Sequence, residues 1–411
     1  MEESTGNRWA ILAASMLCNL IIGAGYCWSL YQVQLLAIFD WTPAQVSLTF
    51  TLVLIASPVT MSLVGKLQEK TGPRKMMMTG GFLCGLGVFL AGYTKSLAYL
   101  YLVYGVVNGV GLGLIYAVAI TNTVKWFPDK RGLSSGLITA ALAAGSVVFA
   151  PIAGILLKHY GVLSVFQIMA VIYFILIMLG AFFIKAPPAG YMRQVPDAPG
   201  KAGLAEEKDW KQMLSDPIFY VLYIMFTMGL VSGLMVLAHV APIGQQTAHL
   251  SVEMSAAAVA VLSAGNTLGR FVWGFISDKI GRYLSLFIIY LISAGSMYYL
   301  VQASSVTAFM LTIVLIGLSY GGLLGVFPAV TADMFGLKNM GTNYGIMVSA
   351  SSVAAVIGPQ LAARVLESSG GVYDQAFIIA SVMGLIGAVL VAAVMLYLKK
   401  RITLNRLTDS Y

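Results

Sequence analysis

The sequence predicts an all-α membrane protein of twelve transmembrane helices, built as two repeated six-helix bundles. Three observations carry that reading. Hydrophobic residues make up 59% of the chain and charged residues only 10%, whereas soluble domains average about 25% charged. The apolar residues gather in runs of ~20, the length a helix needs to cross ~30 Å of hydrocarbon. Short sequence motifs also recur half a chain apart. Within lipid only helices and closed barrels satisfy their own backbone groups, and barrel strands are ~10 alternating residues long, so runs of this length select helices.

Taken in order, polar residues, glycine and proline punctuate apolar runs at 9–36, 44–65, 76–94, 97–124, 133–157 and 162–185, then at 217–246, 255–276, 283–303, 305–332, 341–366 and 373–398. The first run follows a polar M-E-E-S-T-G-N-R-W start and is too long for a signal-peptide core, so an uncleaved cytoplasmic N-terminus is expected. Runs two and three are joined by G-K-L-Q-E-K-T-G-P-R from Gly65, and runs four and five by K-W-F-P-D-K-R-G from Lys125. A hydrophilic stretch from 186 to 216, with P-P, P-D-A-P-G-K-A-G and E-E-K-D-W-K, reads as a linker ending in a short surface helix around Trp210. The expected division is an N-terminal bundle at 1–186, a cytoplasmic linker at 187–216, a C-terminal bundle at 217–398 and a cytoplasmic tail at 399–411. In the second half, run eight contains an arginine, Arg270, and run ten contains Pro328 with G-G-L-L-G at 321–325, which suits a bent, closely packed helix.

Orientation follows from Lys and Arg, which are retained on the cytoplasmic side of short loops. Only Lys95, Lys158 and Arg364 fall on the face opposite the termini, and Arg270 falls inside a run. All other Lys and Arg of the 24 lie on the terminal face, so both termini are expected in the cytoplasm and the chain in the cell membrane. The net charge of +8 reflects that retention and not nucleic-acid binding. Cys18, Cys27 and Cys84 lie in apolar runs as small hydrophobes, with no disulfide framework implied. No metal cluster, nucleophile–base pair or phosphate-cradling loop stands out, so an enzyme is not expected and no cofactor or metal is implied.

The halves repeat at an offset of 209 residues, which takes Gly65 to Gly274, Glu69 to Asp278, Gly72 to Gly281, Gly132 to Gly341 and Gly136 to Gly345. Both G-x-x-x-[DE]-x-x-G loops set a carboxylate among basic residues at helix ends. There an acid can accept from the orphan N–H groups of a neighbouring helix start. Glu69 and Arg74 in one copy, and Asp278 and Arg282 in the other, are candidates for latches that hold the cytoplasmic side closed. Parallel six-helix repeats with a site near the membrane midplane are a known transporter architecture.

Arg270 lies eight residues before Asp278, roughly 12 Å inside its run at ~1.5 Å per residue. A cation there costs ~2.5 kcal/mol or more and marks a substrate or ion path. No Asp or Glu occurs in the interior of a run to pair with it, Asp333 at a cytoplasmic end and Asp374 at the start of the last run excepted, so its natural partner is a mobile anion. Guanidinium grips carboxylate bidentately, and Asn266 at i−4 lies on the same helix face.

The repeated loop resembles the signature of the major facilitator superfamily along the whole chain. N-R-W at 7–9, G-x-x-Y-x-W-S-L-Y ending at Tyr31, K-W-F-P-D-K-R-G-L-S-S-G from Lys125, F-x-W-G-F-I-S-D-K-I-G-R from Phe271 and D-M-F-G…N-Y-G from Asp333 resemble the oxalate:formate antiporter relatives, which are similar to the proton-coupled monocarboxylate transporters. The resemblance implies the major facilitator fold, transport of small carboxylates, and a substrate-binding role for Arg270. It also implies aromatic site walls at Tyr26, Tyr116 and Tyr320. Leu142 and Leu324 would supply apolar surface. A second intramembrane cation of the oxalate-carrying relative, a lysine, falls here on Ser351. One cation neutralises one carboxylate, so a lactate- or pyruvate-like monocarboxylate is expected.

Animal-type symporters carry an Asp where this chain has Asn266, and a Lys in the first span that is absent here, so their proton relay does not transfer residue by residue. His239 is then a candidate for proton coupling, and a proton taken up by the bound substrate is the alternative. Expected partners are the monocarboxylate, protons and the lipid bilayer, with the chain acting as a monomer. Exchange of carboxylates is the rival transport mode, and a non-transporting carboxylate sensor the rival of another class.

Overall fold

The computed structural model describes residues 7–188, 191, 207–369 and 373–408. It is all-helical: α1 (Arg8–Gly23), a 3-10 turn (Ala24–Cys27), α2 (Trp28–Ile38), α3 (Pro43–Thr71), α4 (Pro73–Ala91), α5 (Leu97–Leu100), a π segment (Tyr101–Asn108) and α6 (Gly109–Trp126) come first. There follow α7 (Arg131–Phe183), α8 (Trp210–Ser215), α9 (Pro217–Thr247), α10 (Val252–Ile280), α11 (Arg282–Leu300), α12 (Val306–Phe335), α13 (Met340–Ser368) and α14 (Asp374–Thr408). Among the described residues ten helical stretches are long and apolar enough to cross a membrane. One of these, the 53-residue α7, contains a non-helical Gly161 with φ 71°. α4 carries Arg74 and Lys75 in its first turn and lies outside that set.

Helix starts follow their sequence signals. Thr42 and Gln45 form a reciprocal capping box before α3, as Asp209 and Gln212 do before α8. Ser251 and Ser305 each accept from the third backbone N–H of α10 and α12. Asp216 caps α9, whose first residue is proline. Gly72 (φ 81°) and Gly281 (φ 93°) join α3 to α4 and α10 to α11 in a positive-φ conformation that L side chains rarely adopt. These two glycines are related by the 209-residue offset, so the repeat extends to backbone geometry.

The chain forms two compact units. The first comprises Met1–Asp129, Ala141–Pro196 and Leu337–Ser349, the second Lys130–Ala140, Asp197–Gly336 and Ala350–Tyr411. In the first, Tyr31 and Tyr104 pack on Phe166 with ring centroids 5.0 and 5.6 Å away. In the second, Phe226 stacks on Phe327 at 4.0 Å, and buried Tyr290 donates to the Met225 carbonyl. A further apolar core gathers Val236, Ile243, Leu262, Phe309 and Phe377. Leu63, Leu179, Val389 and Leu396 are exposed, which suits helices whose solvent is lipid.

The packing repeats as well. A side chain on Gly113 would meet the Ser57 carbonyl, and one on Gly321 the Asn266 carbonyl; one on Gly345 would meet the backbone at Met61 and Ser62, and one on Gly136 the backbone at Arg270. Ser57 and Asn266, like Met61 and Arg270, stand 209 residues apart. The first unit therefore has a thioether where the second has a guanidinium.

Candidate functional site

Arg270 lies in the interior of α10 and is 4% exposed. Two segments of the second unit, α12 and the first turns of α7, close on its backbone. Gly265 and Gly269 of α10 face Gly317, Gly321 and Gly325 of α12, so the helices approach backbone to backbone, as small residues permit in lipid. Any Cβ at Gly325 would meet the Arg270 carbonyl, and so would one at Gly136 in the first turns of α7.

The guanidinium makes two hydrogen bonds among the described residues. Its Nε donates to Asn266 Oδ1 at 3.1 Å, and its Nη1 donates to the Thr139 carbonyl at 2.9 Å. No described carboxylate pairs with it. Guanidinium has five donors in a planar fork, so it retains capacity for an anion.

Other residues singled out from sequence are distributed over both units. In the second, Leu324 is buried on α12, and half-buried Tyr320 lays its ring against Gly233 of α9. Ser351 is half-buried on α13; His239 is half-buried on α9, its ring 6.0 Å from that of Tyr373. In the first unit, Tyr116 is half-buried on α6, and Leu142 is buried on α7 with its carbonyl against Gly23. The side chains of Tyr26 and Glu69 lie outside the described residues. Arg74 is exposed at the start of α4, its guanidinium 4.5 Å from the ring centroid of Phe182.

A second charged cluster forms where α10 ends. Asp278 accepts from the backbone N–H groups of Gly132 and Leu133 at 3.0 and 2.7 Å, satisfying orphan donors at the start of α7. Arg282 pairs with Asp278 at 2.6 Å, donates from Nε to Asp333 at 3.0 Å and from Nη1 to Ser277 Oγ at 2.7 Å. Arg131 donates to the other Asp333 oxygen at 2.8 Å. Two carboxylates thus pair with two arginines, the four side chains 5% to 13% exposed, and removing one member would leave its partner charged and largely desolvated.

Sequence reasoning missed Thr139 and Ser135, and treated Asp333 only as an isolated acid at a helix end. Thr139 acts through its carbonyl, which leaves no trace in residue type. Ser135 donates to the Gly325 carbonyl at 2.8 Å, and the S-S-G stretch around it read only as a family motif. Asp333 meets a partner 202 positions away, a pairing that only the fold creates.

A repeated all-helical membrane fold, with a buried arginine that no described carboxylate pairs with, points to a membrane transporter as the class. The profile of the Major Facilitator Superfamily matches residues 12–295 and 240–408, and the chain belongs to that superfamily, a family of transporters and not of enzymes. It is 33% identical over 352 residues, 85% of this chain and 86% of the other, to the uncharacterized MFS-type transporter YhjX of Escherichia coli (strain K12). It is 31% identical over 388 residues, 93% of this chain and 90% of the other, to the oxalate:formate antiporter of Oxalobacter formigenes. The proton:xylose symporter XylE shares the fold, with a TM-score of 0.70 over 93% of this chain and 94% of that one at 14% identity.

Proposed function

We propose that this transporter carries a small monocarboxylate such as lactate or pyruvate across the cell membrane by alternating access, with proton symport, and that Arg270 holds the carboxylate. The observation that supports this most is an arginine, 4% exposed inside α10, that no described acid neutralises. Asn266 holds its Nε and would orient it for a bidentate grip. Met61 at the repeat-related position and Ser351 on α13 add no second charge, which suits a substrate with one carboxylate. Tyr320 and Leu324 lie on α12 beside this helix; Tyr26, Tyr116 and Leu142 are assigned to the substrate walls from family resemblance.

In this reading twelve spans arise by counting α7 as two, divided at Gly161, and by adding α4 to the remaining apolar helices. The bundles cover 1–186 and 217–398, joined by the 187–216 linker and followed by the 399–411 tail. Both termini are cytoplasmic and the chain works as a monomer. Loosening of the Asp278–Arg282 cluster, with Glu69 and Arg74 in the sister loop, opens the cytoplasmic side.

Uptake of labelled lactate into proteoliposomes tests the proposal. An inward proton gradient should accelerate uptake without internal anion. Uptake that ignores the gradient and requires internal carboxylate would establish exchange instead, the reading favoured by the similarity to an oxalate:formate antiporter. Binding of lactate without any flux would make the chain a sensor.

A further inference from the structure

One short segment touches both charged features of the second unit. At its start, the N–H groups of Gly132 and Leu133 donate to Asp278, and Arg131 donates to Asp333. Two turns later the Thr139 carbonyl accepts from Arg270. Between these points Ser135 Oγ donates to the Gly325 carbonyl at 2.8 Å, beside the Arg270 backbone. Thr139 Oγ1 donates back to the Ser135 and Gly136 carbonyls at 3.0 and 3.1 Å. Ser135 and Thr139 are both fully buried. The first turns of α7 are therefore a dry strut running from the Asp278 cap to the guanidinium.

A bidentate carboxylate needs two parallel N–H groups of the fork. One edge includes Nε, which Asn266 holds, and the other includes Nη1, which Thr139 holds. An asparagine amide can rotate to donate to the incoming anion; a helix carbonyl can only accept. A carboxylate meets the guanidinium with a full opposite charge, whereas the Thr139 carbonyl offers only a dipole, so a carboxylate outcompetes the carbonyl for Nη1.

We propose that the Thr139 carbonyl stands in for one oxygen of the substrate carboxylate, and that its displacement on loading loosens the 131–139 strut, with Ser135 as the residue that positions it. This rests on the carboxylate reading of Arg270. It supplies what that reading lacks, a physical link from substrate to the cluster at Asp278. By linkage, whatever stabilises the Thr139–Arg270 arrangement opposes substrate binding by the same factor.

The test uses the purified full chain with L-lactate, pyruvate and formate as probes. Thermal stabilisation first establishes binding, and its loss in Arg270→Lys places that binding at the guanidinium. Saturating probe should then speed amide hydrogen exchange across 132–139 by roughly tenfold, as befits loss of a hydrogen bond to a charged donor. Ser135→Ala, which removes the tie to Gly325, should bind the same probe roughly fivefold tighter. A purely structural serine would instead lower the melting temperature and leave affinity unchanged or weakened. Arg270-dependent binding with unaltered exchange at 132–139, or with no tightening in Ser135→Ala, overturns the displacement and leaves the carboxylate reading standing. Failure of all three probes to bind the wild type removes the carboxylate reading and this inference with it.

Discussion

Arg270 donates to Asn266 through Nε and to Thr139 through Nη1, and both contacts depend on the planar fork. Lysine would keep the charge but present a compact ammonium on a flexible stem. Arg270→Lys is therefore expected to weaken lactate transport roughly thirtyfold, the equivalent of about 2 kcal/mol for one charged hydrogen bond. Unchanged uptake kinetics would remove Arg270 from the substrate site. The charge count is tested from the other side by Ser351→Lys. A second cation should lower lactate uptake and admit oxalate, measured by competition in the same assay; undiminished lactate transport would defeat the argument that one cation selects one carboxylate.

Among the elements, α10 and α12 carry the site because their glycines let backbones meet. A Cβ at Gly321 would meet the Asn266 carbonyl, and one at Gly325 the Arg270 carbonyl, atoms that no rotamer change can move. Overpacking of this kind costs typically 1–3 kcal/mol. Gly321→Ala and Gly325→Ala should each lower the melting temperature in detergent by several degrees and impair uptake. Gly295→Ala on α11, where an added Cβ meets nothing within 4 Å, should be neutral or slightly stabilising, since alanine is the better helix former. Equal effects at all three positions would show that close approach is not what these glycines provide. This scale also shows what was legible in advance. The apolar runs, the loop glycines and the isolated Arg270 could be read because each is a property of residue type and spacing. The Asp333–Arg131 pair and the Thr139 contact could not, because they join residues 202 and 131 positions apart, one of them through backbone. The sequence divides the 133–157 run from the 162–185 run, and Gly161, between them within α7, is non-helical with φ 71°.

For the molecule as a whole, the charge moved per cycle distinguishes the modes of coupling. One fixed guanidinium with one bound monocarboxylate is locally neutral, yet lactate carried alone would still transfer one negative charge across the bilayer each turn. A membrane potential acts on such a charge with about 2.3 kcal/mol per 100 mV, enough to bias accumulation roughly fiftyfold. With a proton carried alongside, the transferred charge is zero. Lactate uptake driven by a proton gradient should then be indifferent to a potassium-diffusion potential of either sign, whereas oxalate-for-formate exchange would respond to it. The route of the proton is tested in the same vesicles. His239 is half-buried on α9 beside Tyr373, and an imidazole can both accept and donate a proton. If it carries the proton, His239→Gln should abolish acceleration by the gradient while lactate-for-lactate exchange, which needs no net proton movement, continues. Retention of the full gradient response in His239→Gln would assign the proton to the bound substrate itself, with Arg270 releasing a neutral acid.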